Sequence, residues 1–184
     1  MAQPGAGGRS AAMTLLRLAT AADVPALHAL VESAYRGDSA RTGWTHEADL
    51  LDGQRSDAAM LAALIDDAAQ SLLIAEQGDA LIGCVQLSDK GDGLFYLGLL
   101  SVAPGAQAAG LGKQLLAAAE ARARAAGGQT IEMTVIRQRG ELIAYYQRRG
   151  YALTGETRPF PYGDARFGTP RRGDLEFMVL AKPL

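Results

Sequence analysis

Residues 71–126 constrain the fold more than any other part of the chain. "SLLIAEQ" (71–77) and "ALIGCVQLS" (80–88) are apolar runs of strand length joined by a Gly-Asp turn at 78 and 79, the pattern of a hairpin. "KGDG" makes the next turn, and "LFYLGLLSV" (94–102) is an almost unbroken apolar run, as expected of a strand covered on both faces. "APGAQAAGLGK" then places Pro104, Gly105, Gly110 and Gly112 directly before an alanine-rich helical stretch, from about Gly110 to Ala126. Three consecutive strands feeding a helix through a glycine-rich turn require a sheet with that helix packed back on one face.

The flanks extend this pattern. "TLLRLAT" (14–20) reads as a strand, and "TAAD" as a capping box with Thr20 as cap and Asp23 three residues on. Val24, Leu27, Leu30, Val31 and Ala34 then recur at helical spacing, and the helix is expected to end near Tyr35 and Gly37. "GDSARTGW" is a loop. Thr45 is expected to cap a short helix over "HEADLL", and Ser56 another over "DAAMLAALIDD". After the central block come a strand over "QTIEMTVI" (129–136) and a helix over "GELIAYYQRRG" (140–150), closed by Gly150. Two last strands, "YALTGETRPF" and "DLEFMVLAKPL", flank the loop "PFPYGDARFGTPRRG". The order predicts a mixed α/β fold rather than a regular doubly wound sheet, in one domain over 14–184 with a tail at 1–13.

Composition removes several functions. A formal net charge of -2 gives no bulk attraction for nucleic acid. Cys84 is the only cysteine and His28 and His46 the only histidines, with no HExxH spacing, so no metal is expected. The first 13 residues lack the apolar run of a secretory signal, and no stretch approaches the roughly 18 apolar residues of a membrane span. No membrane association is expected, and a cytoplasmic enzyme or binding protein is the default.

The loop before the long helix suits an anion. The first amides of a helix have no intrahelical acceptors, and the positive end of the helix dipole lies with them. Small residues at 106, 108, 109, 110 and 112 keep side chains away from that backbone, and Lys113 adds charge. The same composition would also serve a tight packing turn. The stretch is neither a P-loop, since Gln114 stands where Ser or Thr is required, nor a GxGxxG dinucleotide loop.

"LSVAPGAQAAGLGKQLLAAAEARA" resembles the acetyl-CoA-binding motif of the GNAT superfamily of N-acetyltransferases, Gln/Arg-x-x-Gly-x-Gly/Ala. Gln107, Gly110 and Gly112 occupy its three defining positions, after a Val102-x-Pro104 lead. "YQRRGY", with Tyr146, Gly150 and Tyr151, is similar to the family's second signature. The resemblance covers roughly 14–184. It implies a central, mostly antiparallel sheet with helices on both faces. The family's fourth and fifth strands, here 94–102 and 129–136, would splay apart.

The resemblance also implies an activity: acetyl transfer from acetyl-CoA to the primary amine of a small molecule by direct attack. Leu100, Ser101 and Val102 would receive the pantetheine arm. The amides of Gln107, Ala108, Ala109, Gly110, Leu111, Gly112 and Lys113 would hold the pyrophosphate. Tyr146 would be the general acid, with Tyr145 as its neighbour of opposite helix phase. Arg139 stands where many members carry Asn, and it and Arg137 read either as solvated arginines or as partners for an anion. For the acceptor the regions to watch hold Tyr35, Arg36, Trp44, Thr45 and Glu47, then Phe160, Tyr162, Arg166 and Phe167. Glu47, Glu132, His46 or a water chain would take the amine proton. An aromatic pocket with one acid suits a small amine or amino acid, and the neighbouring arginines suit an acceptor that also carries a carboxylate. A protein or peptide acetyltransferase and a non-catalytic acyl-CoA-binding module stay open. So does the last strand, which suits either a homodimer contact or the sheet interior.

Overall fold

The computed structural model describes residues 13–36 and 47–184. β1 (Thr14–Leu18) runs through a 3₁₀ turn (Ala21–Asp23) into α1 (Val24–Tyr35). The Thr20 amide donates to Asp23 Oδ2 at 2.7 Å, and Pro25 sits in the first turn, where its missing N–H costs nothing. α1 buries Val24, Leu27, Leu30, Val31 and Ala34, the stripe expected from their spacing.

The helix expected over "HEADLL" does not form in its described part. Residues 47–50 make a turn, and β2 (Leu51–Asp52) is extended, pairing later with Pro170 and Thr169. One turn of helix cannot repay its own nucleation, so a tertiary strand pairing wins here. The next cap also moves by one residue. Asp57, not Ser56, caps α2 (Ala58–Asp66), its Oδ1 accepting from Met60 N at 2.7 Å. The Ser56 amide donates instead to Glu32 Oε1 on α1, at 2.8 Å.

The chain continues through β3 (Gln70–Gln77), β4 (Ala80–Asp89), β5 (Leu94–Val102), a 3₁₀ segment (Pro104–Ala109) and α3 (Leu111–Ala125). β6 (Thr130–Ile136), α4 (Gly140–Gln147), β7 (Ala152–Pro159), β8 (Thr169–Pro170) and β9 (Glu176–Pro183) complete it. The main sheet has the order β1-β3-β4-β5-β6-β9-β7. The last strand therefore lies in the sheet interior. Every neighbour pair is antiparallel except β5–β6.

Adjacent residues of β3 serve opposite faces, as the strand period demands. Leu72 and Ile74 join α1 and α2 in one core with Leu61, Cys84 and Leu99. Leu73 and Ala75 join α3 in the other, with Leu115, Ile131, Met133 and Leu180. α3 lies close because β4 offers Gly83 beneath it. A Cβ there would come within 2.9 Å of Leu115 Cδ1. A small third cluster of Leu51, Ile136, Phe160 and Leu175 sits beneath the late loop.

Two irregularities of β5 position the site. Its pairing with β6 covers only Leu94–Tyr96 against Thr130–Glu132, although β5 runs on to Val102 and β6 to Ile136. Past Tyr96 the two strands part, while β6 stays paired with β9 along its whole length. The second irregularity is a bulge opposite β4. Cys84 faces Ser101 and Gln86 faces Gly98, so Leu99 and Leu100 share the place opposite Val85. Leu99 takes a φ of 47°, a strained value for a non-glycine residue.

Candidate active site

Two cavities meet where β5 and β6 separate. The first, about 210 Å³, lies along the end of β5 and the glycine loop. It is lined by Leu100, Ser101, Val102, Gln107, Gly110 and Gly112, together with Tyr145, Tyr146 and Arg149. Six residues expected at a cofactor site thus share one wall. Gly110 has a φ of 73°, which lets the chain turn from the 3₁₀ segment into α3. No atom lies within 4 Å of where its Cβ would stand, so the backbone is open on that side. The first i−4 bond of α3 runs from Gln114 N to Gly110 O, and the amides before it have no such acceptor in the helix. This loop fits a pyrophosphate.

The other expected cofactor residues contribute differently. Ala108 and Ala109 belong to the 3₁₀ segment, and Leu111 points into the core. Lys113 is exposed and lines neither cavity. The positive charges lining the first cavity are instead Arg139 and Arg149; the Arg149 guanidinium carbon stands 3.3 Å from the Tyr145 ring centroid and its Nη1 donates to Tyr145 O at 2.8 Å. Their i, i+4 spacing in "YYQRR" is the signal that could have found it. At Gly112 a Cβ would come within 2.7 Å of Tyr145 Oη, so this glycine makes room for the tyrosine.

Tyr146 lines both cavities. It is 5 % exposed, in edge-to-face contact with Tyr145 at 5.4 Å and Tyr151 at 5.9 Å. Burial pushes its phenol well above the ordinary value of 10, so it stays protonated throughout the neutral range. Tyr35 also lines both cavities, and its Oη donates to Leu100 O at 2.5 Å. That uses one lone pair of a carbonyl expected to face pantetheine and leaves the second.

The second cavity, about 110 Å³, lies between the parted strands. Leu97 to Leu100 and Met133 to Ile136 line it, and Phe160, Phe167 and Phe177 stand at one end. Tyr162 and Arg166 are engaged elsewhere: the tyrosine donates to Arg172 O at 3.1 Å, and the exposed arginine holds Asp164. The β2–β8 pair closes over this end, and Arg171 grips Asp52 through Nε at 2.9 Å and Nη2 at 2.7 Å.

Glu47 lies in the wall of the second cavity, 9 % exposed. Arg36 Nη1 donates to its Oε2 at 2.7 Å, Arg139 Nη1 to its Oε1 at 3.1 Å, and Arg55 Nε stands 4.0 Å away. Burial acts to raise its pKa, but Arg139, Arg55 and Arg36 together outweigh burial and hold it below the usual carboxylate value. Arg139 is therefore no surface arginine: it is 4 % exposed. Arg137 is the exposed one, paired with Glu176. Arg55 escaped the sequence reading, because it meets Glu47 through a turn and a short strand and the cluster is completed only by the distant Arg139, so it has no helix or strand spacing.

Glu132 lines neither cavity and is held by Arg158 at 3.2 Å. Trp44, Thr45 and His46 lie outside the described residues. Among the described residues no helix is long and apolar enough to cross a membrane, and no cluster of metal-ligating side chains occurs.

Comparison with known proteins agrees with this geometry. The family model described as an acetyltransferase (GNAT) domain matches residues 42–160. No curated protein matches the chain significantly. Among solved structures, the ribosomal-protein-S18-alanine N-acetyltransferase of Escherichia coli superposes with a TM-score of 0.69 at 16% identity, covering 93% of this chain and 94% of its own. The PaiA N-acetyltransferase of Thermoplasma acidophilum, solved in complex with coenzyme A, gives 0.67 at 16% identity, covering 94% and 99%. The ribosomal-protein-alanine N-acetyltransferase of Brucella melitensis gives 0.69 at 20% identity, covering 92% and 99%. At these identities the likeness shows the fold, and the family model, spanning more than half of the chain, shows the membership: this protein is an acetyltransferase of the GNAT family.

Proposed function

We propose that the protein transfers the acetyl group of acetyl-CoA to the primary amine of a small molecule. The observation that carries this reading is the junction of the two cavities at Tyr146. The glycine loop and Arg149 would hold the pyrophosphate, and the end of β5 would receive the pantetheine arm. That path brings the thioester to Tyr146. The acceptor amine would enter from the second cavity.

The amine must arrive neutral, its ammonium proton passing to water. Its nitrogen then bonds to the thioester carbon, the C–S bond breaks, and the second amine proton leaves to solvent. Tyr146 protonates the departing thiolate and recovers its own proton from water. Glu47 is a poor base for the amine, since three guanidiniums keep it ionised at low pH. Its role is to balance charge.

The small volume of the second cavity, about 110 Å³, favours a small acceptor over a peptide. Leu51 of the β2–β8 pair and the Phe160–Phe167–Phe177 group give the cavity a compact apolar wall, which suits a small acceptor. The test is release of CoA thiol from acetyl-CoA with a panel of small amines and a panel of peptides. Turnover confined to peptides would overturn the proposal.

A further inference from the structure

We infer that the acceptor carries a carboxylate as well as its amine: an amino acid with an apolar or aromatic body rather than a simple amine. This rests on the proposed acetyl transfer to a small molecule and names the class of that molecule.

The first observation is charge. Four charged residues line the second cavity among the described residues: Arg36, Arg55, Arg139 and Glu47. Three positive charges face one negative charge in the lining, with Glu141 outside it 3.9 Å from Arg139 Nε, and the other walls are mainly apolar and aromatic side chains. An enclosed positive excess attracts an anion far more strongly than a surface charge does, because water screens it poorly.

The second observation is a vacant edge. Arg36 is 7 % exposed, and its Nε and Nη2 have no hydrogen-bond partner. With the same pair of atoms Arg171 holds Asp52 and Arg172 holds Asp174. That edge is the planar fork that matches a carboxylate. Buried donors left unmade are costly, so an unpartnered fork in a binding site points to a ligand. A Cβ on Gly168 would lie 3.2 Å from Arg36 Nη2, so this edge stands next to Gly168, the residue after Phe167 of the cavity lining. A carboxylate at the arginines and an amine toward Tyr146 give the two ends of an amino acid, and the phenylalanines accept its side chain.

The experiment compares ligands that differ only in the carboxylate. Calorimetry with CoA present measures binding of N-acetyl-L-phenylalanine against N-acetyl-L-phenylalaninamide. The acid is expected to bind about tenfold more tightly, the worth of one charge-assisted hydrogen bond. Arg55→Gln, a substitution at a partly exposed position, is expected to shrink the preference to about twofold, and Arg55→Lys to restore much of it. Equal binding, tighter binding of the amide, or binding of neither overturns the inference. CoA release with L-phenylalanine and 2-phenylethylamine separates the two levels. Equal turnover of both keeps the small-amine reading and removes the carboxylate. Acid binding without turnover of any small amine keeps the carboxylate site and removes the small-amine reading.

Discussion

Glu47 receives Arg139 Nη1 at 3.1 Å across 92 positions of chain, and the two residues together tie the turn after α1 to the strand end before α4. Glu47 is the only carboxylate among the described residues lining either cavity. Removing it leaves buried guanidiniums without their counter-ion. Glu47→Gln is expected to destabilise the fold by about 3 kcal/mol at neutral pH, the usual cost of breaking one side of a buried pair. Urea denaturation measures it.

The same pair sets a pH dependence. Unfolded, Glu47 titrates near 4.5, and in the fold its pKa is lower. A carboxylate held below its unfolded value stabilises the protein above that value, and the contribution is lost as pH falls through the folded pKa. The stability gap between wild type and Glu47→Gln is therefore expected to narrow steadily below about pH 4.5. A gap that stays constant in acid would show that Glu47 acts through packing alone.

Tyr146→Phe is expected to lower kcat by about a hundredfold with little change in the KM for acetyl-CoA, since only proton donation is removed. Burial raises the phenol, so the alkaline fall of wild-type kcat that reports this group belongs above pH 10. Steady-state kinetics on both proteins decide the matter. A Tyr145→Phe control should retain more activity, because the Tyr145 hydroxyl sits against Gly112 and its ring does not line the second cavity.

Gly110 separates conformation from binding. At a φ of 73°, Gly110→Ala is expected to cost about 1 kcal/mol of stability and to leave much of the CoA affinity. Gly110→Asp suits the left-handed conformation better than alanine does, but brings a negative charge to the proposed pyrophosphate site. It is expected to be the more stable of the two variants and to lose CoA binding in calorimetry. Equal binding by both would place the phosphates elsewhere.

Glu132→Gln should leave kcat within about twofold, because Glu132 is committed to Arg158 outside both cavities. A large loss of activity would restore it as a base acting through water.

The succession of the seven main strands along the chain, the α3 loop and the two tyrosines of α4 are legible in the sequence because local rules decide them: period, turn chemistry and helix start signals. The short β2 and β8 are not. The parting of β5 and β6 came only through the family resemblance, since nothing in either strand announces where their pairing stops. The Leu99 bulge carries no local mark beyond the neighbouring Gly98, because leucine rarely takes a positive φ. The short helix expected at "HEADLL" does not form over its described part, 47–51, where strand pairing over a long separation outweighed a weak local preference. Ser56 and Asp57 were both good caps, and Glu32 on another helix decided between them. The Arg36–Glu47–Arg139 cluster was readable only as individual residues, and burial turned them into a site.

The β2–β8 pair has a consequence for the order of events in a catalytic cycle. It joins the chain between residues 51 and 170 through two residues on each side and an exposed Arg171–Asp52 pair. Opening it lifts Leu51 from its cluster with Ile136, Phe160 and Leu175 but leaves the seven-stranded sheet and the glycine loop intact. Local fluctuation is therefore expected to cost less here than within the main sheet. On the proposed reading, amine and acetylated product exchange past this pair while CoA stays bound, so the acetylated product is expected to leave first. In hydrogen exchange, Leu51 and Asp52 should lose protection long before β4 does.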